Sequence, residues 1–214
     1  MKKRWFLDMC FIIYYASNSG FYLEEKVRKI VANKKEEYII CYYITEENLP
    51  KWIKEKKSLI YEAKQITSYT KSMPSIEDSQ SFLFKRYVMQ LKKILKAYAF
   101  SENKKDFFIN RKRNITFLER KIRLFVKDFI DEKVIPIKEI DLKLRSGLFT
   151  YLDNVSDANT LASGIQEHNK NAIMLITSDK EHWTEDNLKW AIPPASDLEK
   201  KYPKLPRIKY LQDL

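Results

Sequence analysis

The residues best suited to do chemistry are aspartates standing where an apolar run gives out or a helix begins. Asp8 closes the run Trp5-Phe6-Leu7, and Asp179 follows Ala172-Ile-Met-Leu-Ile-Thr177-Ser178. Asp157 lies in the first turn of an expected helix after Val155-Ser156. Glu46 and Glu47 follow a further apolar run, Tyr38–Ile44. In open α/β sheets, ligands gather just beyond the carboxyl ends of the strands, so acids in such places converge on one edge. Carboxylates brought together repel one another unless a cation binds, and carboxylate plus water is the ligand set of Mg²⁺ or Mn²⁺. Such ions make a hydroxide from water and stabilise a phosphodiester under attack. Taken singly, each acid has an ordinary structural use. Asp157 complements a helix dipole, Asp179 forms a turn, and Glu46 and Glu47 are first-turn acids. Asp8 is the exception, because it interrupts an apolar run (Met9-Cys10-Phe11-Ile12-Ile13 follows it) where a structural Asp has little to do.

The elements that must position these acids can be read from periodicity. Ala172–Ile176 is continuous and apolar, as in a strand buried on both faces of a parallel sheet. Arg4–Asp8 reads as the first strand and Tyr38–Ile44, rich in β-branched and aromatic residues, as the second. Val134–Ile137 is a short strand that Pro136 confines to an edge. Helical spacing predicts a helix or turn over Cys10–Tyr15 and a helix over Tyr22–Ala32. A helix capped by Thr45 should run to about Tyr69, and one capped by Ser75 should reach Tyr98. Phe117–Ile130, Glu139–Leu152 and a helix opened by Ser156 follow. Asn103–Asp106 reads as a loop, and the tail as a short helix near Thr184–Trp190, then irregular chain holding Pro193, Pro194, Pro203 and Pro206. The expected fold class is α/β: a three-layer α/β/α domain over 1–214 with a mostly parallel sheet. Residues 51–131, helical, basic and aromatic, are longer than an ordinary crossover and read as an insertion or elaborated crossover within it.

Composition narrows the partners. The chain has 40 Lys and Arg against 29 acids, a formal charge of +11. That balance favours a polyanion, nucleic acid before membrane, through counterion release. Arg111-Lys112-Arg113 is the densest candidate phosphate contact, with a solvated loop as its plainer reading. Three glycines, Gly20, Gly147 and Gly164, cannot compose a glycine-rich nucleotide loop. Two histidines, His168 and His182, are too few and badly spaced for zinc. Cys10 and Cys41 lie in apolar runs and read as buried free thiols of a reducing compartment. The start, Met1-Lys-Lys-Arg4 then Trp5–Ala16, resembles a signal peptide, but Asp8 at its centre costs roughly 2.5–3.5 kcal/mol on insertion. With no run near ~20 apolar residues, the expectation is a cytoplasmic protein with no membrane partner.

At this point the residues resemble a family. Leu7-Asp8 after an N-terminal strand, Asp157-Ala-Asn-Thr-Leu-Ala162 opening a helix, and Leu175-Ile-Thr177-Ser-Asp179-Lys-Glu-His-Trp183 are similar to three blocks of the PIN domain. The resemblance covers the first ~20 residues, 37–50 and 134–190, and is weak across 51–131. It implies a metal-dependent ribonuclease, with Asp8, Asp157 and Asp179 as Mg²⁺ or Mn²⁺ ligands and Thr177 as a supporting hydroxyl. The family usually places Thr, two residues, then Glu-Leu after the second strand. Here Thr45-Glu46-Glu47-Asn48-Leu49 puts Asn48 where Glu is expected, so Glu47 is the fourth metal ligand assigned, with Glu46 beside it. Asp153 and Asp186 are reserve acids. The implied partner is RNA, and the family's habits leave room for an antitoxin or another protein partner and for a homodimer. The alternative is a catalytically silent PIN-like module that binds RNA or protein, for which Asn48 and the long basic segment speak. A phospho-receiver domain ranks below both: Asp8 is single, and no strand-ending Asp lies mid-chain.

Overall fold

The computed structural model of the protein describes residues 2–68, 71–74 and 82–214, excepting the side chains of 82 and 83. Backbone contacts divide the chain into two compact units, Met1–Leu49 with Lys121–Leu214, and Pro50–Arg120.

The first unit is built on a five-stranded parallel sheet of β1 (Arg4–Leu7), β2 (Glu37–Cys41), β3 (Glu132–Val134), β4 (Met174–Thr177) and β5 (Arg207–Tyr210). Its order is β3-β2-β1-β4-β5 and every pairing is parallel. Helices α1 (Met9–Ala16) and α2 (Tyr22–Ala32) link β1 to β2. The helices α6 (Leu142–Leu152) and α7 (Val155–Lys170) link β3 to β4, and α8 (Glu185–Ala191) and α9 (Asp197–Lys201) link β4 to β5. This is the expected α/β/α class. The sequence of β1 and β4 explains their central place: Phe6, Leu7, Leu175 and Ile176 are fully buried, as strands covered on both faces require. Chain order reverses between β1 and β4, where Leu7 pairs with Ile176. At the opposite end of the strands, Arg4 binds Glu37 (3.1 Å), Glu167 (2.7 Å) and Glu132, joining β1, β2, β3 and α7.

The second unit holds α3 (Leu49–Thr67) beyond its first residue, α4 (Phe82–Ala99), and α5 (Lys104–Asp128) as far as Arg120. Leu59, Ala63 and Leu91 form its buried centre, with Tyr87, Ile94 and Phe108 packed against them. Tyr87 donates to the Glu62 carboxylate, which also pairs with Lys71 at 2.6 Å. Lys57 pairs with Glu119 at 2.6 Å, joining α3 to α5.

Several boundaries differ from the sequence reading. β2 stops at Cys41, and Ile44–Asn48 forms a π-helical turn leading into α3. Thr45 therefore caps nothing; its hydroxyl donates back to the Tyr42 carbonyl at 3.1 Å. β-Propensity alone overextends the strand because its partner β3 is only three residues long, ending where Cys41 meets Val134. Val134 ends β3 rather than starting a strand, because Ile135 takes a left-handed φ of 51° before Pro136; the edge position is as expected. Asn103 is not loop but the start of α5: its side chain accepts from Asp106 N (3.1 Å) and donates to Asp106 Oδ2 (3.0 Å), a reciprocal cap. The 25-residue α5 then carries Arg111, Lys112 and Arg113 on a helix, not in a loop. Asn154 displaces Ser156 as the cap of α7. The tail contains a strand, β5, that its prolines concealed. The expected cap Ser75 lies outside the described residues.

The faces meet closely where glycine permits it. A Cβ on Gly147 would sit 2.8 Å from the Ala191 carbonyl oxygen, and one on Gly164 would sit 2.7 Å from a Leu175 methyl. Overpacking costs about 1–3 kcal/mol and the gain in helix propensity recovers up to ~1. Backbone cannot swing aside as a leucine tip can. Gly147→Ala should therefore lose about 1 kcal/mol or more in denaturant unfolding, and Gly164→Ala less; the reverse ranking would contradict the α6–α8 contact.

Candidate metal centre

Asp8 is the residue after β1 and the N-cap of α1, its side chain accepting from Met9 N at 2.5 Å. Its own N–H donates to the Ile176 carbonyl at 3.0 Å, extending the β1–β4 ladder by one rung. The pairing brings in Thr177, whose hydroxyl donates to Asp8 Oδ2 at 2.9 Å and accepts from Asp179 N at 3.0 Å. Thr177 is fully buried and Asp8 nearly so, so the threonine fixes one carboxylate and the backbone of another. Asp179 then folds its own turn. Oδ1 accepts from Glu181 N and His182 N, both at 2.9 Å, and Oδ2 lies 3.0 Å from His182 Nδ1.

Asp157 arrives on the first turn of α7. Asn154 caps that helix, accepting from Ser156 N at 3.0 Å, and its amide donates to Asp157 Oδ2 at 2.5 Å. The buried indole of Trp183 donates to Asp157 Oδ1 at 3.3 Å. Asp157, Asp179 and His182 each offer a ligand atom, and these atoms all lie within 4.8 Å of one another. Two carboxylates and an imidazole are a donor set that suits a divalent first-row ion, and the imidazole favours Mn²⁺ over Mg²⁺.

The charges act on one another. Asp157 is raised to about 6, first by burial, then by the charge of Asp8, with Asp179 adding to it; the Trp183 bond and His182 oppose the rise. Asp8 is raised as well, by burial first, while Cys10, Thr177 and Met9 favour its charged form and Asp179 opposes it. Cys10, half-buried rather than fully buried, accepts from Ser178 N at 3.2 Å, and burial with the charge of Asp8 pushes its thiol up. It is a packed neighbour of the carboxylates.

The structure thus joins Asp157 and Asp179 directly, and Asp8 to them through Thr177 and through charge. Glu46 and Glu47 are exposed in the π-helical turn and make no hydrogen bond or ion pair among the described residues. Asn48 is buried in the same turn. Arg111, Lys112 and Arg113 belong to the other unit. Asp153 is the exposed, left-handed C-cap of α6 and Asp186 an exposed acid near Lys189, so neither reserve acid is drawn in. His182 and Asn154 escaped the sequence reading. His182 stands three residues after Asp179, a spacing that one turn closes, and that was the available signal.

Comparison of the chain with protein-family models, with curated proteins and with solved structures finds no match in any of the three.

Because Asp157 titrates near 6 when folded and near 3.9 when unfolded, the folded state holds more protons between those values. Its contribution to stability therefore falls as pH rises from about 4 to about 6, by on the order of 1–2 kcal/mol. Denaturant unfolding across this window should show a flatter profile for Asp157→Asn than for wild type, whatever offset the altered Asn154 contact adds. Parallel profiles would remove Asp157 from the coupled cluster.

Proposed function

We propose that this chain is a PIN-like, Mn²⁺- or Mg²⁺-dependent ribonuclease whose metal is held by Asp157, Asp179 and His182, with Asp8 completing the acidic pocket. The observation that carries this reading is the gathering of Asp8, Asp157 and Asp179: ligand atoms of Asp157, Asp179 and His182 all lie within 4.8 Å of one another, and Thr177 ties Asp8 to the backbone of Asp179. The three acids come from three elements and meet at the carboxyl ends of β1 and β4, where chain order reverses and where α/β sheets gather ligands. Carboxylates gathered in this way make a candidate site, because a divalent cation relieves their repulsion. Such an ion lowers the pKa of water and neutralises charge on a phosphodiester. The protein's part is placement. Thr177 orients Asp8 and the Asp179 backbone, Asn154 and Trp183 hold Asp157, and Asp179 Oδ2, 3.0 Å from His182 Nδ1, fixes the imidazole beside it. The net charge of +11 outside this pocket supplies the attraction for RNA.

A second reading, a silent RNA- or protein-binding module, is favoured by the exposed, unpartnered Glu47, which leaves the pocket with three acids in place of four.

Calorimetric titration with Mn²⁺ should show binding to wild type and none to Asp179→Ala. Asp8→Asn should keep its fold yet lose cleavage of single-stranded RNA by on the order of 100-fold, since removing even an outer partner of a metal site costs about 10–100-fold. His182→Ala should weaken Mn²⁺ more than Mg²⁺. No Mn²⁺ binding in wild type, with RNA affinity retained, would replace the nuclease reading with the silent module.

A further inference from the structure

The second unit contains a cleft of about 940 Å³ between α3, α4 and α5. Lys56, Lys85, Arg86, Lys93 and Arg111 line it, and none of the described residues lining it is acidic. Lys85, Arg86, Lys93 and Arg111 make no ion pair among the described residues, although Lys57 and Lys71 of the same unit do. Lys56 is anchored at 2.7 Å to Gln90 Oε1 and lies over the Trp52 ring, and its pKa is lowered by burial and then by Arg86. Arg111 lies 5.1 Å over the ring of Phe107. Between the cations the floor is apolar: Met89, 54% exposed, with Ile94 and Ile115.

The spacing limits the occupant. Lys85, Met89 and Lys93 follow one another at four-residue intervals on α4. The two lysines are therefore two turns apart, about 12 Å along the axis. A lone phosphate would need both side chains folded inward onto one point, whereas a chain of phosphates meets each of them extended. A cation, an apolar patch and a second cation in succession match a strand whose phosphates alternate with bases. The concavity admits a strand and excludes a flat lipid surface. A peptide of carboxylates would meet the cations but leave Met89 without an apolar partner. Positively charged grooves with surfaces for bases are how single strands are held without sequence preference.

We propose that this cleft is a docking site for single-stranded RNA, gripping the backbone through Lys85, Arg86, Lys93 and Arg111 and seating bases on Met89. The assignment of the polymer as RNA rests on the nuclease reading; the cleft itself binds without metal.

The test is fluorescence anisotropy of the full chain with a labelled oligouridine 20-mer in EDTA, over a range of salt. Arg86→Glu with Lys93→Glu should weaken binding at least 10-fold and make the slope of log affinity against log salt about 1–2 units shallower. Lys138→Glu with Lys143→Glu, an equal charge change in the first unit, should shift affinity less than 3-fold. Met89→Ser should weaken binding a few-fold and leave the salt slope unchanged. Equal losses in the two double variants, or none in the cleft variant while circular dichroism shows it folded, would overturn the proposal. So would tighter binding of polyglutamate or phosphatidylserine vesicles that depends on Arg86 and Lys93. Cleavage with Mn²⁺, followed in the same variants, separates the two readings. RNA held in the cleft but never cut leaves the cleft standing without the nuclease, and cutting that ignores the cleft charges leaves the nuclease standing without the cleft.

Discussion

The pairing of Leu7 with Ile176 is the contact on which the candidate site depends. It sets two strands from opposite parts of the chain side by side, in parallel and in register. One residue further on, the same register delivers Asp8 N to the Ile176 carbonyl and the Thr177 hydroxyl to the Asp8 carboxylate. A slip by one residue would exchange the faces of every side chain beyond it and send Thr177 away from Asp8. Such a slip is opposed by the core itself, because Phe6, Leu7, Leu175 and Ile176 are wholly buried and a helix packs on them closely enough to require Gly164. The hydrophobic core and the acidic pocket are thus consequences of one register.

The ends of the sheet divide the electrostatic labour. At the amino ends, Arg4 gathers three glutamates, Glu167 among them with its side chain only 5% exposed. The Arg4–Glu167 pair is the buried part of this cluster, and removing either partner would leave an uncompensated buried charge, whereas Glu37 and Glu132 are more exposed and contribute less. At the carboxyl ends Asp8, Asp157 and Asp179 are held by hydroxyl, amide and indole donors, and among the described residues no Lys or Arg pairs with them, His182 alone standing beside Asp179. Helix α7 spans both ends. Asp157 sits in its first turn, Glu167 near its last, about 15 Å apart along the axis. The positive end of the helix dipole favours a charged Asp157, yet burial and neighbouring carboxylates outweigh it. The same sheet thus carries a cation-centred cluster at its amino ends and a gathering of carboxylates at its carboxyl ends.

The legible parts were those that periodicity and burial determine locally. The strands around Trp5, Ile39 and Leu175, the helices over 22–32 and 82–98, most of the one expected over 139–152, and the placing of Asp8, Asp157 and Asp179 at element boundaries all follow from runs of apolar residues and where they stop. What was not legible depends on partners distant in sequence. The Arg207–Tyr210 strand is four alternating residues after a proline, and only the exposed edge of β4 makes it a strand. Tyr42–Ile44 has the composition of a strand, and the brevity of β3 ends it. Arg111–Arg113 reads as loop because its charges mask the helix that Asn103 nucleates. His182 offered only its three-residue spacing from Asp179, and an isolated histidine seldom means more than a surface turn.

The sheet order also carries a cost in time. β1 is made first, but its neighbour on one side is not made until about 170 residues later. At a synthesis rate of about 5–20 residues per second, that delay is on the order of ten to thirty seconds. During it β2 can cover one flank of Trp5-Phe6-Leu7, while the other remains an open apolar edge, the kind of template on which nascent chains associate wrongly. A chaperone that shields this edge until residue 177 has left the ribosome would decide the yield of the folded protein, and a chain arrested earlier would contain Asp8 with no pocket around it.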